Sequence, residues 1–278
     1  MDKVVIIPDS FKGTLSSKEV AARMEAAVKA VMPEAARVVL PIADGGEGTV
    51  AAFLTAVGGE RVETMASGPF FTPIPSFYGR LPDGTAIIEM AAAAGLPLVG
   101  ERREAENTTT FGVGELMGEA IEKGAKRLIL GLGGSATNDG GCGAAAALGA
   151  VFTDAKGHAF VPTGATLFAI HRIDAAPLRR RLEGVEVTVM CDIDNPLCGK
   201  KGAAAVFAPQ KGADAAMVRR LDDGLSHLAD VIREELGIAI ADLPGAGAAG
   251  GMGAGASAFF GGVLRRGIDV VLDTVDFE

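Results

Sequence analysis

Residues 127–141 read RLILGLGGSATNDGG, and this stretch decides the fold. An apolar run over 127–132 has the length and character of a buried strand, and it passes directly into a loop of glycines and small polar side chains. A small-residue helix is expected from about residue 141. Strand, glycine loop and helix in immediate succession are the working unit of an α/β fold. Glycines let a backbone turn with positive φ and come close to a phosphate. The N–H groups of such a loop and of the helix start then supply donors and partial positive charge. The loop lacks the GK[ST] ending of a Walker A motif and does not follow G-x-G-x-x-G. A turn that merely lets strand and helix pack is the plain alternative, and an anion or nucleotide site is favoured over it.

Working outward, residues 4–7 form a short β-branched run ending at Pro8. Ser16 and Glu19 have capping-box spacing, and Val20, Met24, Ala27, Val28 and Val31 recur at helical intervals before Pro33. A second strand is expected over 37–42, completing a βαβ unit. Residues 61–98 differ: short strand-like runs at 61–65, 76–81 and 86–90 are broken by Gly and Pro, including the turn Pro82-Asp83-Gly84. That patch reads as mixed or antiparallel sheet. Alternation resumes with a helix over 112–123, a strand over 184–191 and a long helix over 214–236. The latter carries Met217, Leu221, Leu225, Leu228 and Ile232 on one face. Residues 269–272 read as a strand and 274–278 as the opening of a helix, so the chain is expected to be incomplete at its C-terminus.

The chain has 278 residues, 49% of them hydrophobic, enough for one large α/β unit or two smaller domains. It has 26 Lys and Arg against 35 Asp and Glu, a net charge of −9, which disfavours a nucleic-acid backbone as partner. A small anion is still accommodated by local donors. Cys142, Cys191 and Cys198 are three, widely spaced and without a C-x-x-C pair, so neither a disulfide framework nor a zinc site is expected. No apolar stretch suits a signal peptide or a membrane span, and a cytoplasmic location is expected. His158, His171 and His227 share no spacing and have no nucleophile motif near them, so a hydrolase triad is rejected.

Several other loops carry acids and glycines after expected strands. Asp44-Gly45-Gly46-Glu47-Gly48-Thr49 could bind Mg²⁺ through water or take a proton, or could be a turn with a helix cap. In Pro8-Asp9-Ser10-Phe11-Lys12-Gly13, Asp9 and Lys12 read in isolation as turn cap and surface charge. Asp192 and Asp194 lie two apart, facing the same way in extended backbone, and with Asn195 suit a hard cation; an Asx turn before Pro196 explains one of them as well. Thr108-Thr109-Thr110 reads first as a helix cap. Gln210 and Lys211 lie in a loop that could line a site, with a surface position as the default reading. Loops at the carboxyl ends of parallel strands gather in space, so these segments should converge on one cleft suited to phosphoryl transfer.

Seven segments together resemble one family. PDSFKGTLS (8–16), PIADGGEGT (41–49), NTTTFGVGEL (107–116), GLGGSATNDGG (131–141), CDIDNPL (191–197), FAPQKGA (207–213) and PGAGAAGG (244–251) are similar, in order, to the glycerate kinases of the bacterial glyoxylate and sugar-acid type. The resemblance implies ATP- and Mg²⁺-dependent phosphorylation of D-glycerate, the 2-hydroxyl favoured, by a protein of open oligomeric state. It implies two α/β domains with a cleft between them, one with a flavodoxin-like parallel sheet and one with a mixed sheet. They are expected here at 1–65 plus 256–278 and at 66–255. It also implies a further C-terminal α/β segment with a TGEGRID-type loop, needed to complete the discontinuous domain.

By position, the resemblance assigns nucleotide contacts to Gly133, Gly134, Ser135, Thr137, Asn138, Asp139 and Gly140. It assigns metal contacts to Asp192 and Asp194, and glycerate contacts to Asp9, Ser10, Lys12, Gly45, Gly46 and Glu47. Asp192, Lys12 and Asp44 are the expected catalytic groups. A kinase for another small hydroxy acid, or a nucleotide- or sugar-acid-binding protein without turnover, are the alternatives. A dehydrogenase is disfavoured by the missing dinucleotide fingerprint.

Overall fold

The computed structural model describes residues 2–8, 11, 14–15, 17–39 and 45–274. Asp9, Ser10, Lys12 and Asp44, as well as Ser16 of the expected capping box, lie outside the described residues.

The described residues form three sheets. Strands β1 (Lys3–Ile6) and β2 (Ala36–Val39) pair in parallel on either side of helix α1 (Ser17–Val31), Lys3 opposite Ala36 and Ile6 opposite Val39. The central sheet has six strands in the order β11-β10-β6-β5-β4-β3. Strands β5 (Ala86–Glu89), β6 (Arg127–Gly131), β10 (Glu186–Met190) and β11 (Val263–Arg265) are parallel. β3 (Glu60–Ser67) and β4 (Pro73–Arg80) add an antiparallel edge. The mixed sheet expected from residues 61–98 is therefore present, joined to the parallel one. A small antiparallel sheet of β7 (Val151–Thr153), β8 (Ala159–Phe160) and β9 (Arg172–Asp174) stands beside it.

The helices are α2 (Thr49–Val57), two single turns α3 (Ala91–Ala94) and α4 (Leu96–Val99), and α5 (Phe111–Glu122). Next come α6 (Cys142–Ala147), α7 (Ala176–Arg181), α8 (Ala203–Phe207), α9 (Ala215–Leu236), α10 (Ala248–Phe260) and α11 (Gly267–Thr274). α9 matches its sequence pattern closely. Asp214 caps its start by accepting from Met217 N at 2.7 Å, Gly237 ends it in the left-handed region, and Leu221, Leu225, Leu228 and Ile232 are all buried.

The two faces of the central sheet are separated by the period of a strand. Ile88, Leu128 and Leu130 face the larger core, which includes Leu116 and Met117 of α5 and the buried face of α9. Ile87 and Ile129 point the other way, onto Val50 and Phe53 of α2 and Val270 and Val271 of α11. Burial on both faces is what the unbroken apolar runs of β5 and β6 require. The strand expected over 269–272 is instead part of α11. Its short apolar run buries Val270 and Val271 against the sheet from the helical layer, and so short a run does not distinguish the two conformations. Thr274 closes that helix rather than opening another, and 275–278 lie outside the described residues. Among the described residues, no helix is long and apolar enough to cross a membrane.

Candidate active site

The carboxyl ends of β5, β6 and β10 lie side by side, with Glu89 opposite Gly131 and Gly131 opposite Met190. There β6 and β10 release the chain into the expected glycine and acid loops, while β5 passes through Met90 directly into α3. The glycine loop after β6 is tied down from three sides. Leu96 N donates to Gly134 O at 2.8 Å, and Ala136 N donates to Ala94 O at 2.8 Å. Thr108 Oγ1 donates to Ala136 O at 2.9 Å. Gly133 N donates to Gly45 O at 2.9 Å, so the two glycine loops meet backbone to backbone. Gly45 has φ +86, and a Cβ on Gly133 would stand 2.5 Å from Gly46 Cα. That close approach is the physical reason for glycine at these positions.

A cavity of about 380 Å³ opens beside the loop, a volume suited to a small cofactor. Gly133, Gly134 and Ser135 form one part of its wall, and Cys191, Asp192 and Ile193 another. Leu96, Leu132, Met190, Phe207 and Ala248 supply apolar surface. The nucleotide loop and the acid loop expected from the sequence are thus brought together. Asp192 Oδ1 accepts from Gly267 N at 2.8 Å, capping the start of α11. Among the described residues nothing bonds to its second oxygen. Ile193 follows it along the wall, whereas Asp194 is exposed and not part of the wall. The two carboxylates do not converge as extended backbone would place them.

The rest of the glycine loop turns inward. Thr137, Asn138 and Asp139 are fully buried. Asp139 Oδ2 accepts from Thr110 N at 2.7 Å, Thr110 Oγ1 at 2.9 Å and Gly143 N at 3.2 Å, while Oδ1 accepts from Gly141 N at 3.1 Å. Burial pushes this carboxyl up from its ordinary range, and the donors from Thr110, Gly141 and Gly143 pull it back. These contacts make Asp139 a staple between the loop, α5 and α6. The threonine run serves the same end: Thr110 stands at the start of α5 without capping it through its side chain. Thr137 Oγ1 and both amide atoms of Asn138 are buried without a partner among the described residues.

Glu47 is exposed and lines a different groove, together with Arg61, Phe77 and Glu89. Glu89 is 3% exposed, and its Oε1 accepts from Val50 N at 2.6 Å at the start of α2. Burial raises its pKa; hydrogen bonds from Val50 and Gly48 oppose that. The only sequence signal was a carboxylate closing an otherwise apolar strand.

Lys211 departs from its default surface position, and its loop does line the site. It is 2% exposed, lines the cavity, and donates from Nζ to Ser135 Oγ at 2.8 Å and to Thr137 O at 2.6 Å. Burial lowers its pKa to about 7, opposed by the attraction of Asp139. Ala249, also on the wall, sits at φ 53 and ψ 43 and is followed by left-handed Gly250 and Gly251. A strained non-glycine residue beside a cavity is a common feature of functional sites. Its signal was the small-residue run 244–251.

Comparison with known proteins shows the family and the fold. Residues 4–278 match the model of the glycerate kinase family. The chain is 49% identical to glycerate kinase of Bacillus subtilis (strain 168), over 99% of this chain and 73% of that protein. It is 46% identical to glycerate 2-kinase of Escherichia coli (strain K12), again over 99% and 73%. A crystal structure assigned to glycerate kinase 2 of Salmonella typhimurium LT2 superposes with a TM-score of 0.91 at 46% identity, over 99% of this chain and 74% of that one.

Proposed function

Since the chain belongs to the glycerate kinase family, we propose that it phosphorylates D-glycerate with ATP, at the 2-hydroxyl, giving 2-phosphoglycerate. The observation that carries this reading is one cavity wall built from the glycine loop Gly133–Ser135, Asp192 and the buried Lys211. Backbone donors, a carboxylate and a cation are the groups that phosphoryl transfer needs. The oxygen of the acceptor hydroxyl bonds to the terminal phosphorus, the bond from that phosphorus to the bridging oxygen breaks, and ADP departs. The hydroxyl proton passes to a carboxylate.

In this scheme Gly133, Gly134 and Ser135 cradle phosphates, while Thr137, Asn138, Asp139 and Gly140 hold the loop in shape behind them. Mg²⁺ fits the donor set, because it commonly takes one or two protein carboxylates, with waters and phosphates completing its shell. Asp192 would hold it, with Asp194 a further oxygen donor at the rim; the ion neutralises phosphate charge when bound. Asp9, Ser10, Lys12, Asp44, Gly45, Gly46 and Glu47 form the glycerate side, with Lys12 offsetting negative charge and Asp44 or Asp192 receiving the proton. The division into domains at 1–65 plus 256–278 and 66–255 belongs to the same proposal. So does a cytoplasmic location, which three free cysteines favour.

The test is ³¹P NMR of the protein with ATP, Mg²⁺ and D-glycerate. A resonance of 2-phosphoglycerate growing with that of ADP is expected. ATP binding without turnover of D-glycerate, or turnover of another hydroxy acid in its place, would sink the substrate assignment.

A further inference from the structure

Lys211 closes a single 3₁₀ turn, Pro209–Lys211, and almost none of its surface meets water. Its ammonium has three N–H donors, and the two acceptors found for it, Ser135 Oγ and Thr137 O, are both neutral. Among the described residues, no carboxylate forms an ion pair with it. The charged and titratable groups around it are few. From the glycine loop comes Asp139, whose oxygens are already taken by Thr110, Gly141 and Gly143. From the end of β10 come Asp192 and Cys191, which line the same cavity. From the segment before α5 comes Arg103, whose Nη1 donates to Gln210 O at 3.1 Å. A buried cation without a counter-ion is costly, and the cost is relieved either by loss of its proton or by an anion supplied by a ligand.

Resting on the reading that this cavity takes nucleotide phosphates, we propose that Lys211 is the cation that receives them, and that their binding is coupled to proton uptake at its ammonium. Ser135 Oγ and the Thr137 carbonyl hold the lysine Nζ in place, so the charge is presented at the wall and not in solvent. The free side chain titrates near pH 7, at about 7, because it is buried. A unit above that, at pH 8, only about a tenth of it is charged, whereas a phosphate held against it keeps the ammonium form. Binding at pH 8 therefore draws close to one proton from solution.

Calorimetry at pH 8 in two buffers of different ionisation enthalpy counts that proton. The ligands are ATP and methyl triphosphate, which has the phosphates without the base. The wild-type protein is expected to take up close to one proton more per ligand than Lys211→Met, and the variant to bind roughly ten- to a hundredfold more weakly. Equal uptake in both proteins overturns the proposal and leaves the nucleotide reading standing. Methyl triphosphate bound with Lys211-dependent uptake, while ATP is not bound, keeps Lys211 and removes the nucleotide. Failure of the wild type to bind either ligand overturns both. Should the variant not fold, the wild type alone decides: its affinity for methyl triphosphate is expected to fall nearly tenfold from pH 8 to 9, and a flat profile overturns the proposal.

Discussion

Asp139 is buried behind the cavity and Asp192 lines it, and the two carry opposite expectations on substitution. Asp139 satisfies four buried donors from Thr110, Gly141 and Gly143. Asp139→Ala should therefore cost about 2–5 kcal/mol of folding stability, read from denaturant unfolding, because those donors lose their acceptor inside the core. Asp192→Asn keeps an oxygen for Gly267 N, so stability should hold while kcat falls roughly 10²–10⁴-fold, as for loss of a proton acceptor. A variant with near-normal turnover would take Asp192 out of the chemistry. Lys211 adds a pH signature to stability. Its pKa in the fold lies below that of a free lysine, at about 7, so between that pH and the free-lysine range the unfolded chain binds more protons. The ligand-free wild type should thus gain stability relative to Lys211→Met as pH rises through 7 to 9. Constant spacing between the two unfolding curves would contradict it. Lys211 was hidden in the sequence because a lone lysine in a Pro-Gln-Lys-Gly turn looks like any solvated one. Only the packing of that turn beneath the glycine loop reveals it.

At the scale of elements, most of the architecture was legible. The apolar runs of β5 and β6, the β-branched run of β10 and the one-sided face of α9 each point to a single conformation. α11 was not legible, because the three apolar residues Val270, Val271 and Leu272 show no periodicity, fit a strand or a helix equally well, and only the neighbouring layer decides. The left-handed run at the start of α10 was equally hidden. Ala249 there has φ 53, while Gly250 at φ 66 lies so close to the next loop that a Cβ on it would stand 2.0 Å from Thr137 O. Ala249→Gly should stabilise the protein by about 1 kcal/mol by relieving strain, and Gly250→Ala should destabilise it and weaken ATP binding by displacing the glycine loop. Thermal unfolding of the pair checks both signs. Equal shifts in the same direction would mean that the run is not strained. The acid loop around Asp192 was half legible: the residue types indicated a cation or proton site, but not that Ile193 would take the wall position beside Asp192 in place of Asp194.

For the molecule as a whole, the parallel order of β5, β6, β10 and β11 gathers sites scattered over more than a hundred residues of sequence. The order of the motifs along the chain could not show that the two glycine loops lie in contact, since that depends on which strands are neighbours. Gly133→Ala tests this junction, because its new Cβ would meet Gly46 and push the loops apart. ATP affinity should fall along with stability, and an unchanged affinity would separate the junction from the nucleotide site. The measurement that bears most directly on the account is a crystal structure with a non-hydrolysable ATP analogue, Mg²⁺ and D-glycerate bound. The account predicts the phosphates against Gly133, Gly134 and Ser135 with Lys211 touching one of them, and Asp192 at the metal or the acceptor hydroxyl. Phosphates in the groove of Glu47 and Glu89, or a nucleotide remote from Lys211 and Asp192, would contradict it.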